Sequence, residues 1–494
     1  MTRAYPLTVE ALDAVGDPIT LRYSLGDYHA DGENWPRRVV KPSLFAGAAR
    51  MPWLRSGGRQ NVGDIELGNA DGGLDALVDY ALDGRAATQQ SWDGETLRTE
   101  VTGTVSRVEI ERRIVRLILR DEAEFLAEDH PQDSYLGDGS PLEGDGDIAG
   151  NPKPQVLGSV VNATPVQTSY GLQIYQVSSL ADCIVPAARD RAVPLTHAGE
   201  YASEAELIDE ALTPAPGTFR SWRGFVRLGD TAQALTVDAH QSLTTAQAIA
   251  EHLVTAAGGT FEAVALSAAY ELADGSQYEL ADGSVYHITI NPMSPECGIY
   301  LDAPRSTASM LDELAASIGG YWLMRDHVRF RPLRIGTPVA TIPAHRVLDI
   351  RRQRGGAGEN GLPVHRIVVG YDRVATTQTD VAAAATSKAR WASEYRRDRA
   401  EDTAVKQRHP LSTSLRIDTA RRSPGLASTL LALLGQRRDT STVTTRLDLY
   451  SEIEIGDTIT VQHPRFGYEA GRDMLVIGRT PDVADNSVAL EVWG

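Results

Sequence analysis

Apolar and polar positions alternate in short runs along most of this chain, the period-two signature of strands buried on one face. Ile19-Thr20-Leu21-Arg22-Tyr23 and Gln173-Ile174-Tyr175-Gln176-Val177 both follow it. Ile114 to Leu119 is more continuously apolar and reads as a strand covered on both faces. Asp93-Gly94, between polar strands, is a hairpin-type dipeptide. Ile367-Val368-Val369 reads as a buried strand, and the C-terminal end reads as strands over 441–450, 457–462, 474–479 and 487–493. Residues 35–60 carry Pro36, Pro42 and Pro52, then Gly57-Gly58, and read as a long loop with Trp53 as its candidate contact residue.

Helical spacing surfaces in few places. Thr244 to Ala257 is the clearest: Thr244-Thr245-Ala246-Gln247 fits a capping box, Gly258 fits the left-handed stop, and Ile249, Leu253 and Ala256 share a face. A second helix runs from Thr307 to Ile318, with Ser306 as N-cap, Gly319 as stop, and Met310, Leu311, Leu314 and Ile318 inward. A hairpin follows, Tyr321 to Met324 and His327 to Phe330, turning at Arg325-Asp326. A short helix is expected over 203–212, and an alanine-rich one over 380–399. Another opens at Ser423-Pro424, carries Leu426, Leu430, Leu433 and Leu434, and stops at Gly435.

Between these lie three segments without periodicity. Residues 131–155 are dominated by Gly, Asp and Pro and read as a solvated interdomain linker. Residues 270–286 hold a tandem repeat, Tyr270 to Ser276 and Tyr278 to Ser284, which suits an exposed hairpin or loop insertion because two copies are too few for a solenoid. Residues 351–361 are Arg/Gly-rich and read as mobile. Phe219, Trp222 and Phe225, set around Arg220 and Arg223, read as core in preference to an aromatic binding face.

The expected fold is therefore mainly β with α/β insertions. It is multi-domain, built of β-barrel or β-sandwich modules plus a few helices. The boundaries fall at 1–150 for an N-terminal β-rich module, 151–240 for a second β module, 241–345 for an α/β module with the helix and hairpin, and 346–494 for a C-terminal β module with two helices. A length of 494 residues is too long for one ordinary domain.

Composition removes function classes. No apolar run approaches the ~20 residues of a membrane span, and Met1 to Pro6 lacks an apolar signal segment, so the chain is expected to stay where it is made. A net charge of -18 disfavours sequence-independent nucleic-acid binding. The lysines are Lys41, Lys153, Lys388 and Lys406, none after a glycine, so a P-loop is absent. The remaining cations are arginines, read as codon bias of a GC-rich genome. Cys183 and Cys297 are too few and too distant for a disulfide framework or a cluster and read as small buried side chains. No two histidines stand close enough for a helical zinc pair. Asp138, Glu143, Asp145 and Asp147 invite a calcium reading, but Ala149 and Val156 stand where an EF-hand loop needs oxygen ligands. An irregular calcium site within 133–151 stays open. Nucleophile-elbow, zincin, paired-cysteine and dinucleotide fingerprints are missing. A glycosidase carboxylate pair stays open, because 66 acidic residues give no basis for choosing one. No catalytic, cofactor or metal residue is assigned.

Several ordered segments resemble the tail-tip, or baseplate, hub proteins of long-tailed bacteriophages. The first runs from Asn69-Ala70-Asp71-Gly72-Gly73-Leu74-Asp75 through Ala81-Leu82-Asp83-Gly84-Arg85 and Val101-Thr102-Gly103-Thr104-Val105 to Ile114-Val115-Arg116-Leu117-Ile118-Leu119-Arg120-Asp121. Tyr135-Leu136-Gly137-Asp138-Gly139, Asn151-Pro152-Lys153-Pro154 and Val161-Asn162-Ala163-Thr164-Pro165 continue it. Val226-Arg227-Leu228-Gly229, Leu235 to Ala239, Glu454 to Val461 and Leu490-Glu491-Val492-Trp493-Gly494 complete it. Residues 262–292 match nothing of the kind.

The resemblance implies a structural, non-enzymatic virion protein at the tail tip, present in the host cytoplasm during assembly. It implies a homotrimer that continues a six-fold tail tube. Its partners would be a distal tail protein or the tail tube, the tape measure, and a central fibre or receptor-binding proteins. DNA would pass through without specific binding, past a lumen rich in carboxylates, and no stable membrane insertion is expected. Three copies can meet a six-fold ring only if each supplies two similar β-modules, for which the candidates lie before residue 150 and after 340. A receptor- or glycan-binding tail protein is the alternative, and a cell-wall hydrolase the third.

Overall fold

The computed structural model describes residues 3–30, 32–49, 60–120, 122–262, 278–279, 285–286, 295–324, 327–354, 362–382, 388–436, 438–449 and 453–494. Trp53, the Arg325-Asp326 turn and most of the tandem repeat lie outside them. Tyr278–Glu279, at the start of the second repeat copy, pairs antiparallel with Val285–Tyr286 just after it, as a hairpin would.

The N-terminal strands form one seven-stranded antiparallel sheet in the order Pro18–Leu25, Tyr5–Leu12, Ala86–Trp92, Leu97–Ile110, Ile114–Leu119, Ile65–Gly68, Val39–Lys41. The 14-residue strand Leu97–Ile110 serves both halves. It pairs with Ala86–Trp92 up to Thr104 and with Ile114–Leu119 from Val105 onward, with register shifts at Gln89/Gln90 and Val105/Arg107. Such bulges add twist. Leu7, Val9 and Tyr23 from one end of the sheet share a core with Val39, Ile65 and Leu67 from the other, so the sheet curls onto itself. The Asn69–Asp75 loop helps to close that core. Asn69, buried, donates to Asp75 Oδ1 and accepts from the Leu74 amide, each at 2.8 Å, and Leu74, Leu77 and Leu82 plug the opening.

The C-terminal strands form a second large sheet in the order Ala340–Ile342, Thr458–His463, Tyr468–Asp482, Ser487–Trp493, Asp439–Arg446, Val347–Arg354. The first pairing is parallel and the others antiparallel. Ile342, Val443, Ile459, Met474, Val476, Val488 and Val492 make its core. The two sheets interlock. Phe45–Ala48 leaves the N-terminal module and pairs with Tyr468–Asp482 through Gly47↔Arg479 and Ala48↔Gly478, and Gln60–Val62 adds outside it. Tyr5 and Leu44 lie in the C-terminal core, while Ile455 packs against the N-terminal one.

Between them, residues 155–240 and Gly298–Leu301 build two five-stranded sheets. Val156, Val160 and Val237 from one meet Phe219, Val226 and Leu228 from the other, which makes a sandwich. Helices Ala246–Ala256 and Thr307–Ser317 pack on the hairpin Gly320–Met324/Val328–Pro332. Helix Leu426–Leu434 covers the small sheet Arg396–Glu401, Arg366–Tyr371, Ser414–Asp418.

Several expectations need correction. The loop expected over 35–60 contains strands Val39–Lys41 and Phe45–Ala48, each too short to show a period. Ile114–Leu119 is half-buried: Val115, Leu117 and Leu119 point inward, and the β-branched Ile114 and Ile118 on the outer face mimic two-sided burial. Residues 131–155 form a folded loop rather than a solvated linker. Tyr135 is buried under Lys153 Nζ, which bonds Glu143 Oε1 at 2.5 Å, while Glu143 Oε2 accepts from the Leu136 amide. The first long helix is capped by Thr245 rather than Thr244, and its buried face is Ala246, Ile249, Ala250, Leu253 and Val254, with Ala256 exposed. Only Lys388–Trp391 is helical among the described residues of 380–399, because Arg396–Glu401 is taken by pairing with Arg366–Tyr371. Pro424 stands before the last helix, which starts after Gly425 at φ +109°. Arg351 to Arg354 belong to the strand Val347–Arg354, and 355–361 lie outside the described residues.

Candidate assembly interface

Ser159 Oγ donates to Glu296 Oε1 at 2.9 Å and lies 2.9 Å from His240 Nδ1. One hydroxyl proton cannot serve both, so the imidazole is the donor in the second bond. A hydrolytic triad places the imidazole between hydroxyl and carboxylate. Here the hydroxyl sits between the other two, and the group fastens strands Gln155–Ala163 and Leu235–His240 to the Glu296 segment. Cys183 and Cys297 are buried and unpaired, and burial pushes both thiols up to about 12. Among the described residues no three His, Cys, Asp or Glu side chains gather as a metal ion needs. No helix among them is long and apolar enough to cross a membrane.

Charge is organised far more sharply than the whole-chain value suggests. Residues 346–438 hold eighteen Lys/Arg against nine Asp/Glu, inside a chain of net -18. Reading the arginines as codon bias hid this, and a charge balance taken segment by segment would have found it. Much of this charge lies on and around the small sheet. At one end Asp372, at φ +50°, gathers three guanidinium groups: Arg422 at 2.6 Å, Arg390 at 2.8 Å and Arg396 at 3.2 Å. Burial lowers the Arg390 pKa, and the Asp372 carboxylate opposes that shift. The cluster anchors a segment that straps the sandwich. Asn162 Nδ2 donates to Thr376 O at 2.7 Å, and Arg191 pairs with Asp380 at 2.9 Å.

The sheet has two unlike faces. Ile367, Val369, Leu415, Ile417 and Ala400 point at the helix. Asp398 on the same face caps that helix from outside, accepting from the Gly425 and Ala427 amides at 2.9 Å each, which replaces the cap a glycine cannot supply. The outer face consists of three cross-strand rows: Glu401/Arg366/Ser414, Arg399/Val368/Arg416 and Arg397/Gly370/Asp418. Arg397 crosses over Gly370 to reach Asp418, and a Cβ at Gly370 would strike both partners. Arg416 also bonds Asp418, at 3.0 Å, with 61% of its side chain exposed. Arg399 and Glu401 are exposed.

No protein-family model matches this chain, and no curated protein does. Solved structures do. The 43 kDa tail protein of prophage MuSo2 from Shewanella oneidensis aligns at a TM-score of 0.39 and 10% identity, over 99% of this chain and 98% of that one. A tail protein from Neisseria meningitidis MC58 aligns at 0.40 and 11%, over 99% and 96%. A prophage tail protein from Listeria monocytogenes EGD-e aligns at 0.35 and 8%, over 99% and 94%. These similar structures are phage tail proteins, the class that the motifs resemble. At TM-scores this low they carry no argument about a residue's role or a partner.

Proposed function

We propose that this chain is a structural virion protein that forms the hub of a phage tail tip or baseplate, capping the tail tube and seating the receptor-binding parts. The observation that carries this reading is the pair of large β-sheets from opposite ends of the chain, locked together by Phe45–Ala48. A subunit present in three copies under a six-fold tube must present two tube-like β modules, held at a fixed angle to each other. A strand that the N-terminal segment lends to the C-terminal sheet supplies that fixity, because its backbone hydrogen bonds lock register as well as contact. Modules 1–150 and 346–494 then meet the tube or a distal tail protein. Modules 151–240 and 241–345 face the central fibre or receptor-binding proteins. The tape measure ends at the hub, and DNA passes a carboxylate-rich lumen that repels phosphate. The reading assigns no catalytic role and places the protein in the virion, with assembly in the host cytoplasm.

Mass measurement of the purified full-length protein, together with binding to host surface polysaccharide, tests this. A closed trimer without saturable glycan binding is the expected result. Saturable glycan binding by a chain that stays monomeric in the particle would replace the hub with the receptor-binding reading.

A further inference from the structure

We propose that the arginine-lined outer face of the small sheet is one half of a head-to-tail contact, and that its occupant is the acidic surface of the next copy of this chain. The inference rests on the hub reading for the number three. The direction of the contact comes from charge alone.

The charged positions in these three rows are Arg366, Arg397, Arg399 and Arg416 against Glu401 and Asp418, and Asp418 is already divided between two arginines. A two-fold contact would set this patch against itself, bringing like charges together at a cost. The face therefore excludes self-pairing and requires a different surface opposite. With eighteen cations against nine anions in 346–438 and -18 overall, the rest of the chain is strongly acidic. Outside that segment a neighbouring copy carries 30 Lys/Arg (48 less 18) against 57 Asp/Glu (66 less 9), so acidic surface predominates there. A contact between two unlike patches of one chain is heterologous, and it either closes into a ring or runs on as a filament. A hub is the closed case. Guanidinium groups suit such an interface because they pair bidentately with carboxylates and desolvate more readily than ammonium groups. The base beneath them is stiff: helix Leu426–Leu434 packs on the inner face, and Asp398 pins its start. Charges held in place lose less freedom on docking.

The test uses the full chain with Arg399→Glu and Arg416→Glu combined, and a neutral pair, Arg399→Gln with Arg416→Gln. Both positions are exposed, so the melting temperatures should match wild type, and the neutral pair covers any local disturbance by the reversal. Assembly is followed by mass at about 0.05 M and about 0.5 M salt, across the range in which screening takes hold, or by incorporation into the particle if assembly needs the tail. The expected result is a wild-type trimer that loosens as salt rises. The reversed pair should assemble about tenfold or more weakly, with the neutral pair between. Unchanged assembly of the reversed pair overturns the role of this face and leaves the hub reading intact. A wild-type chain that never trimerises, in solution or in the particle, removes the hub reading and this contact with it. Wild-type binding to duplex DNA at physiological salt, lost in the reversed pair, makes the face a phosphate surface and overturns the proposal.

Discussion

Arg227 is among the largest fully buried side chains, at 1% exposure, and none of its partners is a carboxylate. Its Nη1 donates to Leu207 O and Asp209 O at 2.7 Å each, its Nε to Leu172 O at 3.1 Å, and its Nη2 to Thr213 Oγ1 at 2.6 Å. It thus ties strand Phe225–Leu228 to the end of helix Glu204–Ile208 and to the turn beyond. Arg227→Met keeps the stem and removes the fork. The bond to Leu207 O is buried, and leaving that carbonyl unpaired costs about 2 kcal/mol; the three part-buried acceptors add roughly 0.5–1 kcal/mol each. Relief of the guanidinium's desolvation returns part of this, leaving about 3 kcal/mol. Arg227→Lys should be nearly as damaging, because a single ammonium cannot reach acceptors spread along a planar fork. A chain of several modules does not unfold in one step, so the readout is amide exchange over residues 203–213. Opening there should become about 100-fold more frequent, at 1.4 kcal/mol per decade. Exchange within about threefold of wild type in the Met variant, or full rescue by Lys, would refute the argument that these four bonds, rather than charge, justify a buried arginine.

Gly258 and Gly319 stop their helices at φ +88° and +64°. Gly258→Val should cost about 1–2 kcal/mol from backbone strain alone. Gly319→Val should cost clearly more, since its Cβ would lie 2.7 Å from Leu426 Cδ1 whereas Gly258 faces open space; equal melting temperatures would contradict this. Burial lowers the pKa of His130 and of His252 from 6.5, and for His130 the neighbouring His252 adds to the shift. Their neutral forms are favoured in the fold, so this stability is complete above pH 6.5 and is lost as pH falls through the depressed values. Melting temperature against pH should fall below that point, and less steeply in His130→Asn with His252→Asn. Cys183 and Cys297, with thiols pushed up to about 12 and buried, should resist a thiol reagent at pH 8 in the native protein and react fully in denaturant.

Helices with strong local signals were legible from sequence. Ser306 caps Thr307–Ser317 by accepting from the Ser309 amide, and Met310, Leu311, Leu314 and Ile318 are inward as their spacing requires. The β character was legible too, because strands such as Pro18–Leu25 alternate over enough residues to show a period. What was not legible depends on distant partners. Phe45–Ala48 pairs with Gln60–Val62 on one side and on the other with Tyr468–Asp482, more than four hundred residues away in sequence. Arg396–Glu401 prefers its neighbour Arg366–Tyr371 to the helix its surroundings suggest, an override of propensity by tertiary pairing. Glu143 and Lys153 turn a Gly/Asp/Pro stretch into a folded loop through contacts that composition does not encode. The arginine-lined face was hidden differently: each arginine is ordinary alone, and only strand register brings Arg399 and Arg416 to opposite sides of Val368.

A reconstruction by electron cryomicroscopy of the particle that carries this chain tests the central claim most directly. The account predicts three copies in a closed ring under the tail tube, with the N-terminal and C-terminal sheets of each copy alternating around the axis as six similar modules. A single copy, a two-fold arrangement, or a ring in which only one of the two sheets surrounds the axis would contradict it.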